Sequence, residues 1–171
     1  MHKMLSHGVV VEDNWTVVTA PDLESGVLPA GDILLPLNYW LEKRDELLLQ
    51  QADRAVGVWI DSHEEVEALV EGLADDLARL PVVAINFPKF VDGRGFSSAR
   101  LLRDRYQYQG EVRAIGEIIR DQLFLMQRCG FSQFSFANEI DLQAAAASLK
   151  DFSEAYQTAA DQPQPLFKRL R

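Results

Sequence analysis

The sequence predicts an α/β fold: a parallel sheet of four to five βα units, preceded by an N-terminal β-hairpin. Two observations predict it. Between Ala55 and Gln157, short apolar runs alternate four times with segments of helical periodicity, and the loops between them are short. That alternation builds a parallel sheet with right-handed crossovers. The runs Ala55-Val56-Gly57-Val58-Trp59-Ile60 and Val82-Val83-Ala84-Ile85-Asn86-Phe87 are also nearly unbroken, as strands covered on both faces are. An open doubly wound sheet and a partial TIM-barrel-like sheet fit equally. A half-barrel would leave apolar edges that favour self-association, so a homodimer is expected.

The elements follow in order. Gly8 to Thr19 holds two β-branched runs around Glu12-Asp13-Asn14 and reads as the hairpin, with its turn at those three residues. Pro21 to Gly31, with two prolines and two glycines, reads as irregular. Ile33 to Leu37 is a short apolar strand that Pro36 assigns to an edge or a strand end. Tyr39 to Gln51 has helical spacing. After Ile60, Ser62 and Glu65 have capping-box spacing. A helix over 63–79 then places Val66, Leu69, Val70, Leu73 and Leu77 on one side.

Beyond the strand at Val82–Phe87, Ser97 or Ser98 caps a helix running to about Tyr106. Glu111 to Ile115 is a third strand, and a helix from Glu117 to Cys129 ends at Gly130, where a C-terminal cap belongs. Phe131 to Phe136 alternates Phe with polar residues as a fourth strand. Asp141 caps a last helix carrying Leu142 to Tyr156.

A chain of 171 residues, 47% hydrophobic, is long enough for one domain with its own core. We place a single α/β domain at 1–160 and a loosely ordered basic tail at 161–171. No apolar run approaches the roughly 20 residues of a membrane span. The N-terminus lacks the apolar stretch of a secretory signal, and one cysteine, Cys129, permits no internal disulfide. A cytoplasmic location is the expectation.

The net charge of -9 argues against a nucleic-acid partner, which needs a basic surface. Yet Lys89 to Arg120 carries seven basic residues against four acidic ones. Such a locally positive segment could draw in a small anion or an acidic partner surface.

Ligands of parallel α/β sheets bind at the carboxyl ends of the strands. Those positions hold Asp61, Ser62 and His63, then Asn86, Lys89, Asp92 and Arg94, then Glu117, Arg120 and Asp121, then Asn138, Glu139 and Asp141. Asp92-Gly93-Arg94-Gly95 is the densest of these. Gly93 and Gly95 would let backbone N–H groups approach a ligand, Arg94 offers a fork for an oxyanion, and Ser97 adds a donor near a helix start. Arg94, Gly93, Gly95, Ser97 and Arg120 are therefore the ligand-binding candidates. Lys89, Asp92, Glu117 and Asp121 are the catalytic candidates, although a tight turn held by an Asp92–Arg94 or an Asp92–Arg100 pair explains the same loop. For Ser62, Ser97 and Asp141, helix capping is the better reading. No P-loop, dinucleotide fingerprint or nucleophile elbow occurs, one cysteine cannot hold an iron–sulfur cluster, and no multi-histidine metal site is expected. No cofactor is assigned.

Phe87-Pro88-Lys89-Phe90-x-Asp92-Gly93-Arg94-Gly95-Phe96-Ser97-x-Ala99-Arg100-Leu101-Leu102-Arg103, then Gly116-Glu117-x-x-Arg120-Asp121-Gln122-Leu123, then Arg128-Cys129-Gly130-Phe131 resembles the bacterial family called domain of unknown function 934. The resemblance covers most of the chain and is weakest before about residue 30. Members are described as oxidoreductases or accessory proteins of assimilatory sulfite reduction. The resemblance thus implies a role in sulfur assimilation beside sulfite reductase or its cofactor or electron supply, with reductase components as partners. It brings no established catalytic residues. A small α/β enzyme, or a binding protein for an oxyanion or phosphate-bearing ligand at the 86–100 loop, is the alternative.

Overall fold

The structure, a computed structural model, describes residues 2–50, 54–73 and 77–169. It is a mixed α/β fold on an eight-stranded, curled half-barrel sheet. The strands are β1 (Lys3–Ser6), β2 (Val9–Glu12), β3 (Trp15–Val17), β4 (Asp32–Pro36), β5 (Val56–Ile60), β6 (Val82–Phe87), β7 (Glu111–Gly116) and β8 (Gln133–Phe136). The helices are α1 (Ala20–Glu24), α2 (Leu37–Gln50), α3 (Val66–Gly72), α4 (Arg94–Asp104), α5 (Leu123–Cys129), α6 (Leu142–Ser148) and α7 (Leu166–Arg169). Among the described residues, no helix is long and apolar enough to cross a membrane.

The order across the sheet is β2-β1-β8-β7-β6-β5-β4-β3, and β3 to β8 are all parallel. From β4 onward, each strand lies beside the one before it. Right-handed crossovers that never reverse direction return to the same face of the sheet every time. Such a sheet is wound singly, without the reversal in strand order of a doubly wound sheet. Four to five units is therefore a correction: the sheet is larger, and it is mixed, because β1 runs antiparallel to both β2 and β8.

The undercount arises on the N-terminal side. Of the edge and the strand end that Pro36 allowed, the strand end holds: β4 pairs on both sides, and the proline sits at its last position, where a missing N–H costs little. The hairpin, by contrast, is displaced. Its strands are β1 and β2, and its turn is His7-Gly8, with φ of 49° and 77°. Two successive left-handed residues make the turn whose twist matches a hairpin. Asp13 and Asn14 are no hairpin turn. They join β2 on one edge of the sheet to β3 on the other. A link that short spans only about 11 Å, so the two edges are drawn together and the sheet must curl.

Alternation along each strand then separates two environments. Val58 and Ile60, Ile85 and Phe87, Val112 and Ala114, and Phe134 and Phe136 point toward the helices and form one large core with Trp40, Leu69, Leu102 and Met126. Burying each large side chain contributes roughly 1.5–3 kcal/mol. The concave face holds a second, smaller cluster of Leu34, Val82, Ala84 and Ile115, with Trp15, Val17 and Trp59 packed against it.

Several helices are shorter than their periodicity. Gly116 adopts φ 95°, and the Glu117 N–H donates to the Phe87 carbonyl, so the chain is pinned to β6 before it can turn helical. A 3-10 turn, Arg120–Gln122, precedes α5, which Gly130 closes in a left-handed conformation. Helix α3 starts at Val66, after a turn in which the Glu64 carboxylate accepts from the Asp61 N–H. Positions 74–76 of the expected 63–79 helix, and Gln51, lie outside the described residues. Beyond α6, Ala159 is buried, the Ala160 N–H donates to the Arg128 carbonyl, and Arg169 pairs with Glu154 at 2.6 Å.

Candidate functional site

Strand β6 delivers its carboxyl end to the loop 88–93, and Gly93 is the N-cap of α4. The first helical residue, Arg94, turns its side chain back. Its Nε donates to Asp92 Oδ1 at 2.9 Å and its Nη2 to Asp92 Oδ2 at 2.7 Å, a two-pronged pairing. Nη2 also donates to Ser62 Oγ at 3.0 Å, which ties this loop to the one after β5. Hydrogen bonds from Arg94, supported by Ser62, outweigh desolvation and hold the Asp92 carboxyl well below the usual carboxylate range. Ser62 is thus a hydrogen-bond acceptor for arginine rather than a helix cap.

Gly95 is set by packing. A Cβ there would lie 2.7 Å from the Phe87 ring and 2.9 Å from Ile85, so α4 seats directly on β6 only because the side chain is absent. Phe96 meets Phe87 edge-on, with ring centroids 5.6 Å apart. Gly93 has φ -80° and open space where a Cβ would sit, so nothing in the fold demands glycine there.

Lys89, Glu117, Arg120 and Asp121 are all exposed. Gln122 Nε2 donates to the Phe90 carbonyl at 2.7 Å, which brings the 120–122 turn beside the 88–93 loop. Arg120 approaches its neighbour Asp121 only to 3.9 Å. The loop and this turn therefore form one surface carrying Lys89, Arg94, Arg120, Glu117 and Asp121. Ser97 does not belong to it: it lies within α4 and lines a groove with Phe96, Leu101 and Cys129. At the other strand end, Asp141 does cap α6, accepting from the Gln143 and Ala144 N–H groups.

The positive segment disperses in three dimensions. Arg103 donates to the carbonyls of Gly130, Tyr108 and Gly110, Arg100 pairs with Asp104, and Arg105 reaches Glu67 at 3.5 Å. Arg113 is on the concave face, 1% exposed. It is paired with Asp13 at 3.0 Å, donates from Nε to Gln133 Oε1 at 2.8 Å, and lies 5.6 Å from the centre of the Trp15 ring. Asp13 also accepts from Ser135 Oγ at 3.2 Å. Among the described residues, Arg113 Nη2 has no hydrogen-bond partner.

This interior polar group is what reading by site motif missed. The signal existed: Arg113 lies between Val112 and Ala114, and Gln133 and Ser135 alternate with Phe134 and Phe136, which puts them on the face opposite the helices. Among the described residues, no group of three or more His, Cys, Asp or Glu is arranged to hold a metal ion.

The family model described as "Bacterial protein of unknown function (DUF934)" matches residues 57–167, a stretch from β5 through α7 that includes the loop and the turn beside it. No curated protein and no solved structure matches the chain significantly. By that match over most of its length, the chain belongs to the DUF934 family of bacterial proteins.

Proposed function

We propose that the protein is an accessory factor of assimilatory sulfite reduction, which docks onto a reductase component, or onto its cofactor or electron supplier, through the 88–94 loop. The sulfur assignment rests on the motif resemblance. The mode of action rests on one observation: the loop exposes Phe90 (46%) and Val91 (72%), while the Arg94 fork is already held by Asp92. Adjacent exposed apolar side chains framed by Lys89 and Arg94 are the composition of a docking element, with aromatic and arginine anchors. A loop braced by Arg94 to Ser62 and by Gln122 to Phe90 also loses little freedom on binding.

The oxyanion alternative asks Arg94 to exchange Asp92 for the ligand, and it draws support from the exposure of the Arg94 side chain beside Lys89. Outside the loop, Leu125, Phe152, Tyr156 and Phe167 are among the exposed apolar side chains that self-association would bury.

The test is capture of partners from sulfate-grown cells of the source organism by the tagged chain and by Phe90→Asp. The wild type should retain a sulfite reductase component and the variant should lose it, with the melting temperature unchanged. Recovery of no reductase component by the wild type would sink the sulfur assignment. Equal recovery by both would sink the loop.

A further inference from the structure

The carboxyl ends of β4 and β5 border a half-open pocket of about 240 Å³, lined by none of the 88–94 loop residues. Its walls include Leu23 from α1, Pro36 from the end of β4, and Trp59 from β5. Its rim is Asp61, His63 and Glu64. An apolar chamber with a few polar groups at one end, on the face where ligands of parallel sheets bind, is the form of a small-molecule site. We infer that this cavity is a binding site for a small organic cation, a compound with one ring or branched chain and one ammonium group. The inference goes beyond the docking loop and does not depend on it.

Three features carry the assignment. The first is charge. Two carboxylates, Asp61 and Glu64, line the pocket and, among the described residues, no lysine or arginine does, while Arg94 in the neighbouring loop is paired with Asp92. In a half-open, partly apolar pocket this arrangement favours a cation and disfavours sulfite, sulfate or phosphate.

The second is fixed geometry. Asp61 Oδ1 accepts from the Ser62 N–H at 2.7 Å and from Asn86 Nδ2 at 3.1 Å, and its Oδ2 lies 3.5 Å from His63 Nδ1. Glu64 Oε2 accepts from the Asp61 N–H at 2.7 Å. Both carboxylates are anchored by one oxygen, so the rim is organised before a ligand arrives.

The third is the aromatic wall. Trp59 Nε1 donates to the Val18 carbonyl at 2.9 Å, which fixes the indole beside the space. An indole face attracts both an apolar ring and an ammonium group. The volume suffices, since an apolar cavity of about 150 Å³ holds benzene.

The experiment uses the full chain, 15N-labelled, with the Trp59 indole N–H signal assigned by comparison with Trp59→Phe. The probes are 2-phenylethylammonium and 3-phenylpropionate, which share a ring and differ in charge. The ammonium should shift the Trp59 signal saturably and the carboxylate should not. Glu64→Gln, which keeps the acceptor for the Asp61 N–H, should weaken ammonium binding by about three-fold or more, the scale of a partly exposed ion pair. Asp61→Asn should weaken it in the same direction. Equal response to both probes, no shift of the Trp59 signal in a folded spectrum, or undiminished affinity in Glu64→Gln would each overturn the assignment.

Discussion

Asp13–Arg113 and Asp92–Arg94 are the same two side chains brought to similar distances, 3.0 and 2.7 Å, in opposite surroundings. The first pair is inside the curled sheet, 5% and 1% exposed. In the second, Arg94 is 60% exposed. Burial makes the interior pair costly to assemble and costlier to break, because removing one partner strands a charge in an apolar space. The loop pair loses less when broken, since Arg94 already faces water and its removal opens the 14% exposed Asp92 side chain to solvent. The interior pair also has a topological task. Asp13 sits in the short link between the two sheet edges, so its bond to Arg113 in β7 holds that link against the concave face. The loop pair shapes only its own turn and tethers it to Ser62.

The largest effect that tests this contrast is at Asp13. Asp13→Ala should cost about 3–5 kcal/mol in urea unfolding, as expected for an orphaned buried charge. The double variant Asp13→Leu/Arg113→Met should recover most of that loss, because apolar replacement of a buried pair is often close to neutral. A small loss in the single variant would mean that Arg113 finds other partners and that the pair does not govern closure.

Gly95→Ala comes next, at about 1–3 kcal/mol, the usual range for overpacking. The added methyl meets the Phe87 ring, so α4 must lift from β6. An unchanged urea midpoint would show that the base of the loop is softer than its packing indicates.

Arg94→Ala should shift the urea midpoint far less than Asp13→Ala does, because the Arg94 side chain already faces water. A loss as large as that of Asp13→Ala would erase the contrast between the two pairs.

The smallest effect is pH-dependent. The folded Asp92 carboxyl is held below its unfolded value of about 3.9, so its stabilisation is fully present above that value and is lost as pH falls toward the folded one. Between about pH 5 and pH 2 the wild type should therefore lose more stability than Asp92→Asn. Parallel urea midpoints across that range would show that the pair contributes nothing.

What the sequence by itself determined was local. Unbroken apolar runs specified β5 and β6, Gly130 specified a helix end, and Asp141 specified a helix start, because burial on both faces, a left-handed cap and an Asx cap act within a few residues. Asp92-Gly93-Arg94-Gly95 was legible as a tight loop at a strand end. Its internal pairing was one of two readings, because sequence cannot tell whether an arginine fork meets a neighbour or a ligand.

Tertiary structure decided the rest. The hairpin turn lies at His7-Gly8 because β3 pairs with β4 on the far edge, a contact that no local pattern contains. Pro36 sits in an internal strand because only its last position is used. Arg113 became an interior residue because the sheet curls until β7 faces Trp15, and Ser62 became a brace because Arg94 folds back to reach it. Each of these turns on which distant strands and loops meet, and that is set by closing one curved sheet around a concave face rather than by the residues on either side.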